Sequence, residues 1–226
     1  MKIEDLEAGI APETLADLRR TDIQPGRPVI AVDVDEVLVV FTDHLARYIE
    51  TLGYEMRITT YELEGSMFPA GSDKPIPFDE CIALINSFFA EEVTRQEAIP
   101  GGAEALSALA MSAQVVILTN APRHGRDGRR QNLDALGVPY PLVVNSGGKG
   151  QAMKWLAMKA GAPAAFIDDS VMQIGSVARH APEVMRIHFA WAPLIARLFP
   201  ECADATCQVR DWAAAEAALS TWLTNA

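Results

Sequence analysis

The feature that most restricts what this chain can fold into is residues 29–38, Val-Ile-Ala-Val-Asp-Val-Asp-Glu-Val-Leu. Val29 to Val32 is apolar and mostly β-branched, and it follows the turn signal Pro25-Gly26-Arg27-Pro28. A run this short and this uniformly apolar predicts a strand buried on both faces, the pattern of a parallel sheet. It ends on two carboxylates, Asp33 and Asp35, with apolar residues resuming at once. Burying one such charge is unfavourable, and burying two more so, unless something cationic joins them. In open α/β sheets ligands sit beyond the carboxyl ends of the strands, which is where this pair falls. A strand-end turn with two solvated acids is the plainer alternative, and the rest of the chain argues against it.

From Pro100 onward the chain alternates regularly. Ile99-Pro100-Gly101-Gly102 opens a helix to about Met111, and Gln114 to Leu118 is a second apolar strand ending at Thr119-Asn120. A basic loop and a helix stopped by Gly137 follow, then a strand from Pro141 to Val144. Gly147-Gly148 opens a helix to Lys159, and a fourth strand, Ala164 to Ile167, ends at Asp168-Asp169. A helix to about His180, a strand from Val184 to Phe189 and an amphipathic helix from Asp211 to Thr224 complete the pattern. Strands alternating with helices of this length predict an α/β fold with a doubly wound parallel sheet.

Two segments depart from this rhythm. Residues 1–28 suggest a short helix with Pro12 in its first turn, read as an arm packed on the outside. Residues 41–98 carry helical spacing at His44 to Leu52 and Phe78 to Val93, around a loop at 65–77 dense in proline and glycine. Eight of the chain's sixteen aromatic residues lie between Phe41 and Phe89, enough for a separate small core. The expected division is an arm at 1–28, an α/β core at 29–40 and 99–226, and a small helical insertion at 41–98.

Polar residues recur at the ends of the apolar strands: Asp33 and Asp35, then Thr119, then Asp168 and Asp169. Right-handed crossovers bring all these ends to one edge of the sheet, and Lys149, after two glycines, enters a helix at the same edge. Lys154 is the weaker candidate, expected on a solvated helix face. Carboxylates gathered this closely repel one another: two charges ~5 Å apart at an effective dielectric of ~20 cost about 3 kcal/mol. A divalent cation offsets that, and hard oxygen ligands suit Mg²⁺.

The order Asp33-x-Asp35-x-Val37-Leu38, Leu118-Thr119, Lys149 and Asp168-Asp169 resembles the four motifs of the haloacid dehalogenase superfamily of phosphohydrolases, over about residues 29–190. The insertion lies between the first and second motifs, where many relatives carry a helical cap. Glu36 is a departure, since many relatives have glycine there. The resemblance implies a Mg²⁺-dependent phosphomonoesterase acting on a small phosphorylated metabolite. In it Asp33 is the nucleophile that forms an aspartyl-phosphate, and Asp35 is the general acid and base. Thr119, Asn120 and Lys149 hold the phosphoryl group, and Lys149 also offsets charge on Asp33. Asp33 and Asp168 bind the metal by carboxylate, Asp35 by its backbone carbonyl, with Asp169 as a further acid. The tract Val32-Asp33-Val34-Asp35-x-Val37-Leu38 together with Leu118-Thr119-Asn120-Ala121-Pro122 is faintly similar to deoxyribonucleotidase-type members. Alternatives are a phosphotransferase or dehalogenase of the same superfamily, a signalling receiver, and a non-catalytic, phosphoryl-binding relative. A dehalogenase has no need of an acid at Asp35, and a receiver has no use for an insertion of this size.

Arg123, His124, Arg126, Arg129 and Arg130 stand out in a chain of formal charge -11. A salt-bridged helix face is the first reading, ahead of an anion contact. The aromatics of the insertion are read first as its own core; if a flat substrate group is bound, Tyr54, Tyr61, Phe68 and Phe78 are the candidates to meet it, and His188 is expected to be packed in its strand. The acidic balance, with pI near 4.8, argues against nucleic acid and anionic membranes as partners. No apolar run approaches the ~18 residues of a membrane span. The opening Met-Lys-Ile-Glu-Asp-Leu-Glu is too acidic and too polar for a signal peptide. Cys81, Cys202 and Cys207 form no CxxC and are odd in number, which predicts reduced thiols and a cytoplasmic location. Homodimerisation is compatible with all of this.

Overall fold

The computed structural model describes residues 3–58, 63–198 and 201–225. Helices α1 (Ile3–Glu7) and α2 (Pro12–Arg20) precede strand β1 (Val29–Val32). Helix α3 (Thr42–Thr51), a hairpin of β2 (Tyr54–Met56) and β3 (Met67–Pro69), and helix α4 (Phe78–Glu91) follow. The chain then runs α5 (Gly102–Leu109), β4 (Gln114–Thr119), α6 (Arg126–Ala135), β5 (Leu142–Val144), α7 (Gly150–Ala160) and β6 (Ala164–Asp168). Helix α8 (Val171–His180), β7 (Met185–Phe189), α9 (Pro193–Leu198), β8 (Cys207–Val209) and α10 (Trp212–Asn225) complete it.

Six strands form one sheet in the order β5-β4-β1-β6-β7-β8, with every pairing parallel. Counting only these strands along the chain, the order is 3-2-1-4-5-6, a doubly wound sheet whose direction reverses between β1 and β6. The central strands are buried at every position of β1 and β6, which is why they read as unbroken apolar runs. Successive side chains alternate between the two faces. Ile30, Val32, Ile117 and Ile167 pack with α5 and α10, while Val29, Ala31, Leu118 and Phe166 pack with α2, α7 and α8. No helix among the described residues is long and apolar enough to cross a membrane.

The N-terminal helices are not an external arm. Leu6, Ile10 and Leu18 belong to the second of these cores, and Leu18 is fully buried. On α2 the buried residues Thr14, Asp17 and Leu18 fall on one face at helical spacing. Asp17 Oδ2 accepts from the Val144 amide at 3.2 Å and from both terminal nitrogens of Arg123 at 2.9 and 3.1 Å, tying α2 to the sheet edge and to the loop after β4.

Between β1 and α5 the chain leaves and re-enters the core by adjacent paths. Val40 N donates to Glu97 O and Ile99 N to Leu38 O, each at 2.9 Å. Beyond them, α3, α4 and the hairpin gather Leu45, Ile49, Met67 and Phe88 into a third hydrophobic cluster. The hairpin and β8 go beyond the helical segments and five strands expected from the sequence. All three are three residues long and, unlike the equally short Leu-Val-Val of β5, they mix in a polar residue or a proline and so show no apolar run.

Candidate active site

The site follows from the register of two strands. Val32 pairs with Ile167, so Asp33 and Asp168 leave the sheet side by side at its carboxyl edge, and the Asp33 amide donates to Ile167 O at 3.0 Å. Asp33, Asp168 and Asp169 are all buried and each offers a carboxylate oxygen within 4.8 Å of the others. Lys149 Nζ lies between two of them, 2.6 Å from Asp33 Oδ1 and 2.7 Å from Asp168 Oδ2. The other Asp168 oxygen accepts from the Ser170 amide at 2.8 Å. His188, packed in β7 as expected, donates from Nε2 to the Asp169 carbonyl at 2.9 Å.

Burial pushes the Asp33 carboxyl up to about 7; Lys149 opposes the shift, and the charges of Asp168 and Asp35 add to it. Burial followed by the charges of Asp168 and Asp33 raises Asp169 well above the ordinary carboxylate value. Burial works against the charge of Lys149, yet Asp168 and Asp33 hold its ammonium above the ordinary lysine value. Three buried acids therefore share one cation.

Two glycines deliver Lys149 to this position. A Cβ on Gly150 would lie 2.2 Å from the Ser176 carbonyl oxygen of α8, and one on Gly148 would lie 2.5 Å from Ser176 Oγ. Lacking side chains, they let the start of α7 press against α8, where the Gly150 amide donates to Ser176 Oγ at 3.1 Å. The Lys149 amide is fixed in turn by Gln173 Oε1 at 2.8 Å.

Asp35 stands apart from the three clustered acids. Its Oδ1 takes Arg129 Nη2 at 2.6 Å and Gln96 Nε2 at 3.4 Å, and Arg129 also donates to Gln96 Oε1 at 2.8 Å. Arg129 is fully buried, so this member of the basic cluster is an internal partner of Asp35. Arg123 and Arg126 turn to Asp17, Arg130 to Asp134 and the carbonyls of Val138 and Tyr140, and His124 to the Asn86 carbonyl. The cluster is thus salt-bridged and backbone-bound. Gln96 carried no sequence signal, since nothing local marks a glutamine whose partners lie 33 and 61 residues away.

Glu36 has a left-handed backbone, φ 59°, the region that favours glycine. Its carboxylate accepts from the amides of Thr42 at 2.6 Å and Phe41 at 3.3 Å, at the start of α3, a helix with no cap from its own N-cap side chain. Thr119 is buried, and its hydroxyl accepts from the Ala121 amide at 3.2 Å. Asn120 Nδ2 donates to Gly147 O at 2.8 Å.

A cavity of about 540 Å³ opens above these groups. Asp33, Asp35, Asn120, Lys149, Asp168 and Asp169 line its floor, whereas Thr119, expected to hold the phosphoryl group, is buried and is not among the lining residues. The opposite wall comes from residues 41–98 and is mostly apolar. The candidate stackers are not in its lining: Tyr54 donates to Glu80, Phe68 lies under Arg57 and Phe78 is exposed, while Tyr61 falls outside the described residues. Phe41 and Phe89 line the cavity instead.

No protein-family model and no curated protein matches the sequence. Solved structures do match. A haloacid dehalogenase family hydrolase from Deinococcus radiodurans, with bound phosphate and sodium, superposes with TM-score 0.59 at 18% identity, over 88% of this chain and 97% of that one. A haloacid dehalogenase-like protein of unknown function from Agrobacterium tumefaciens gives 0.59 at 19% identity, over 87% and 99%. CbbY from Rhodobacter sphaeroides, in complex with phosphate, gives 0.55 at 17% identity, over 82% and 94%. This chain has the haloacid dehalogenase-like fold. Within that fold, the three clustered acids and Lys149 occupy the point where the strand order reverses, the position at which doubly wound sheets bind ligands.

Proposed function

We propose that the chain is a phosphomonoester hydrolase that uses Asp33 as nucleophile and a divalent cation, Mg²⁺, as cofactor. The observation that carries this reading is the arrangement of Asp33, Asp168 and Asp169 around Lys149 on the floor of the cavity. Three buried carboxylates against one ammonium leave an excess of negative charge that a hard divalent cation would offset. Asp33 and Asp168 would hold the ion, with Asp169 and the backbone carbonyl of Asp35 completing the oxygen donors. Bound there, the ion would keep the acids ionised and draw charge from the phosphoryl oxygens.

Lys149 pins the Asp33 carboxylate through Oδ1, so the nucleophile is oriented before substrate arrives. Attack on phosphorus gives an aspartyl-phosphate on Asp33 and expels the alcohol. Asp35 protonates the departing oxygen and then takes a proton from the hydrolytic water. Arg129 and Gln96 both bind Oδ1 of Asp35, so Oδ2 is the oxygen left for this transfer. Thr119 and Asn120 shape the loop against which the phosphoryl group rests, and residues 41–98 act as the cap that excludes water.

Hydrolysis of an aryl phosphate, measured with Mg²⁺ and then with a chelator, tests the reading. Turnover that requires the ion and disappears in folded Asp33→Asn is the expected result. Turnover indifferent to chelator, or retained in that variant, rules it out.

A further inference from the structure

Resting on that reading, we infer that the substrate is the phosphomonoester of an apolar, uncharged alcohol, with no second anionic group. Two independent features of the cavity carry this.

The first is the wall facing the acids, built by Phe41, Ile58, Leu63, Ile82, Ile85 and Phe89. Met172 adds an apolar side chain from α8. Ile82 is 38% exposed and Met172 67%, so two of the five large hydrophobic residues left in water on the described surface border this one cavity. Apolar side chains kept wet at a mouth gain free energy when an apolar group covers them.

The second is charge. Five carboxylates line the cavity (Asp33, Asp35, Glu36, Asp168 and Asp169), and Lys149 is the one cationic side chain among the described residues that do. Lys149 is held by Asp33 and Asp168, and the nearby Arg129, Arg123 and Arg126 are engaged by Asp35 and Asp17. Residues 59–62, Thr-Thr-Tyr-Glu, contain no cationic residue either. With Lys149 held by the acids and the proposed ion placed on them and on the reacting phosphoryl group, a carboxylate or second phosphate on the alcohol would find no further donor of positive charge among the described lining residues. Sites that read such groups place an arginine or lysine there.

The test uses the full chain with Mg²⁺ and three alkyl esters with similar leaving groups: methyl phosphate, hexyl phosphate, and hexyl phosphate bearing a terminal carboxylate. Acetyl phosphate serves as an activated small substrate. A fully buried methylene is worth up to about fourfold. We expect kcat/KM to rise at least about tenfold from methyl to hexyl, and to fall at least about tenfold when the carboxylate is added. In Ile82→Arg, a half-exposed position that tolerates a polar residue, the ratio of carboxylate ester to plain hexyl ester should rise at least about tenfold. If acetyl and methyl phosphate turn over through Asp33 but the series is flat, or the carboxylate ester is preferred, the inference fails and the phosphohydrolase reading stands. An unmoved ratio in Ile82→Arg also overturns it. If no phosphate ester or acetyl phosphate is hydrolysed, both readings fall.

Discussion

Glu36 shows how one residue can join the chemistry to the insertion. Its backbone, at φ 59°, is strained for any residue but glycine, and its carboxylate supplies the cap that the first helix after it lacks. Where many relatives of the resembled superfamily relieve the strain with glycine, this chain keeps it and gains a helix cap. The two effects are separable by substitution. Glu36→Ala retains the strain and loses the cap, and should destabilise the protein by about 1–2 kcal/mol. Glu36→Gly loses the cap but relieves the backbone, so its cost should be clearly smaller. Chemical denaturation of the two variants checks the order; equal losses would mean the backbone at this position carries no strain. None of this was legible in the sequence beyond the presence of an extra acid, because the conformation of one loop residue leaves no periodic trace.

The α7–α8 pair decides where Lys149 stands. Replacing a glycine by alanine in a helix ordinarily stabilises it by up to about 1 kcal/mol. At Gly150 the sign should reverse, because the new methyl would meet a backbone carbonyl 2.2 Å away and push the two helices apart. Gly150→Ala is expected to cost about 1–3 kcal/mol in stability and to lower kcat, since Lys149 would move off Asp33 and Asp168. Unfolding and steady-state measurements on the variant check both, and full activity would show that helix spacing does not position the lysine. At this scale the sequence was most informative where burial is uniform. Strands β1, β4 and β6 were legible as apolar runs, and the acids at their ends as a shared edge. It was silent on the three-residue strands β2, β3 and β8. It was silent too on pairs such as Asp17 with Arg123 and Asp35 with Arg129, which lie 106 and 94 residues apart. Such contacts are set by how the sheet and helices pack, and nothing near either residue announces them.

For the whole molecule, the buried acids link stability to pH and to metal. Burial, opposed by Lys149 and reinforced by Asp168 and Asp35, raises Asp33 to about 7, and Asp168 and Asp169 also shift upward. Without metal, the folded protein therefore keeps protons that the unfolded chain releases above about pH 4. That contribution to stability is fully present below the unfolded value and is lost as pH rises through the folded one. Mg²⁺ competes with these protons, so its stabilising effect should be larger at about pH 8 than at about pH 5. Thermal melts with and without the ion at the two pH values check this, and an increment independent of pH would contradict a metal held by these carboxylates. The central claim is that the acid ending β1, beside Lys149, is the nucleophile, and covalent trapping tests it most directly. Protein turning over a labelled phosphate ester is quenched in acid, digested, and its peptides are examined by mass spectrometry. The expected result is a phosphoryl label on Asp33 that hydroxylamine removes and that Asp33→Asn lacks. Turnover with no label on Asp33, or with the label on another residue, would contradict the account.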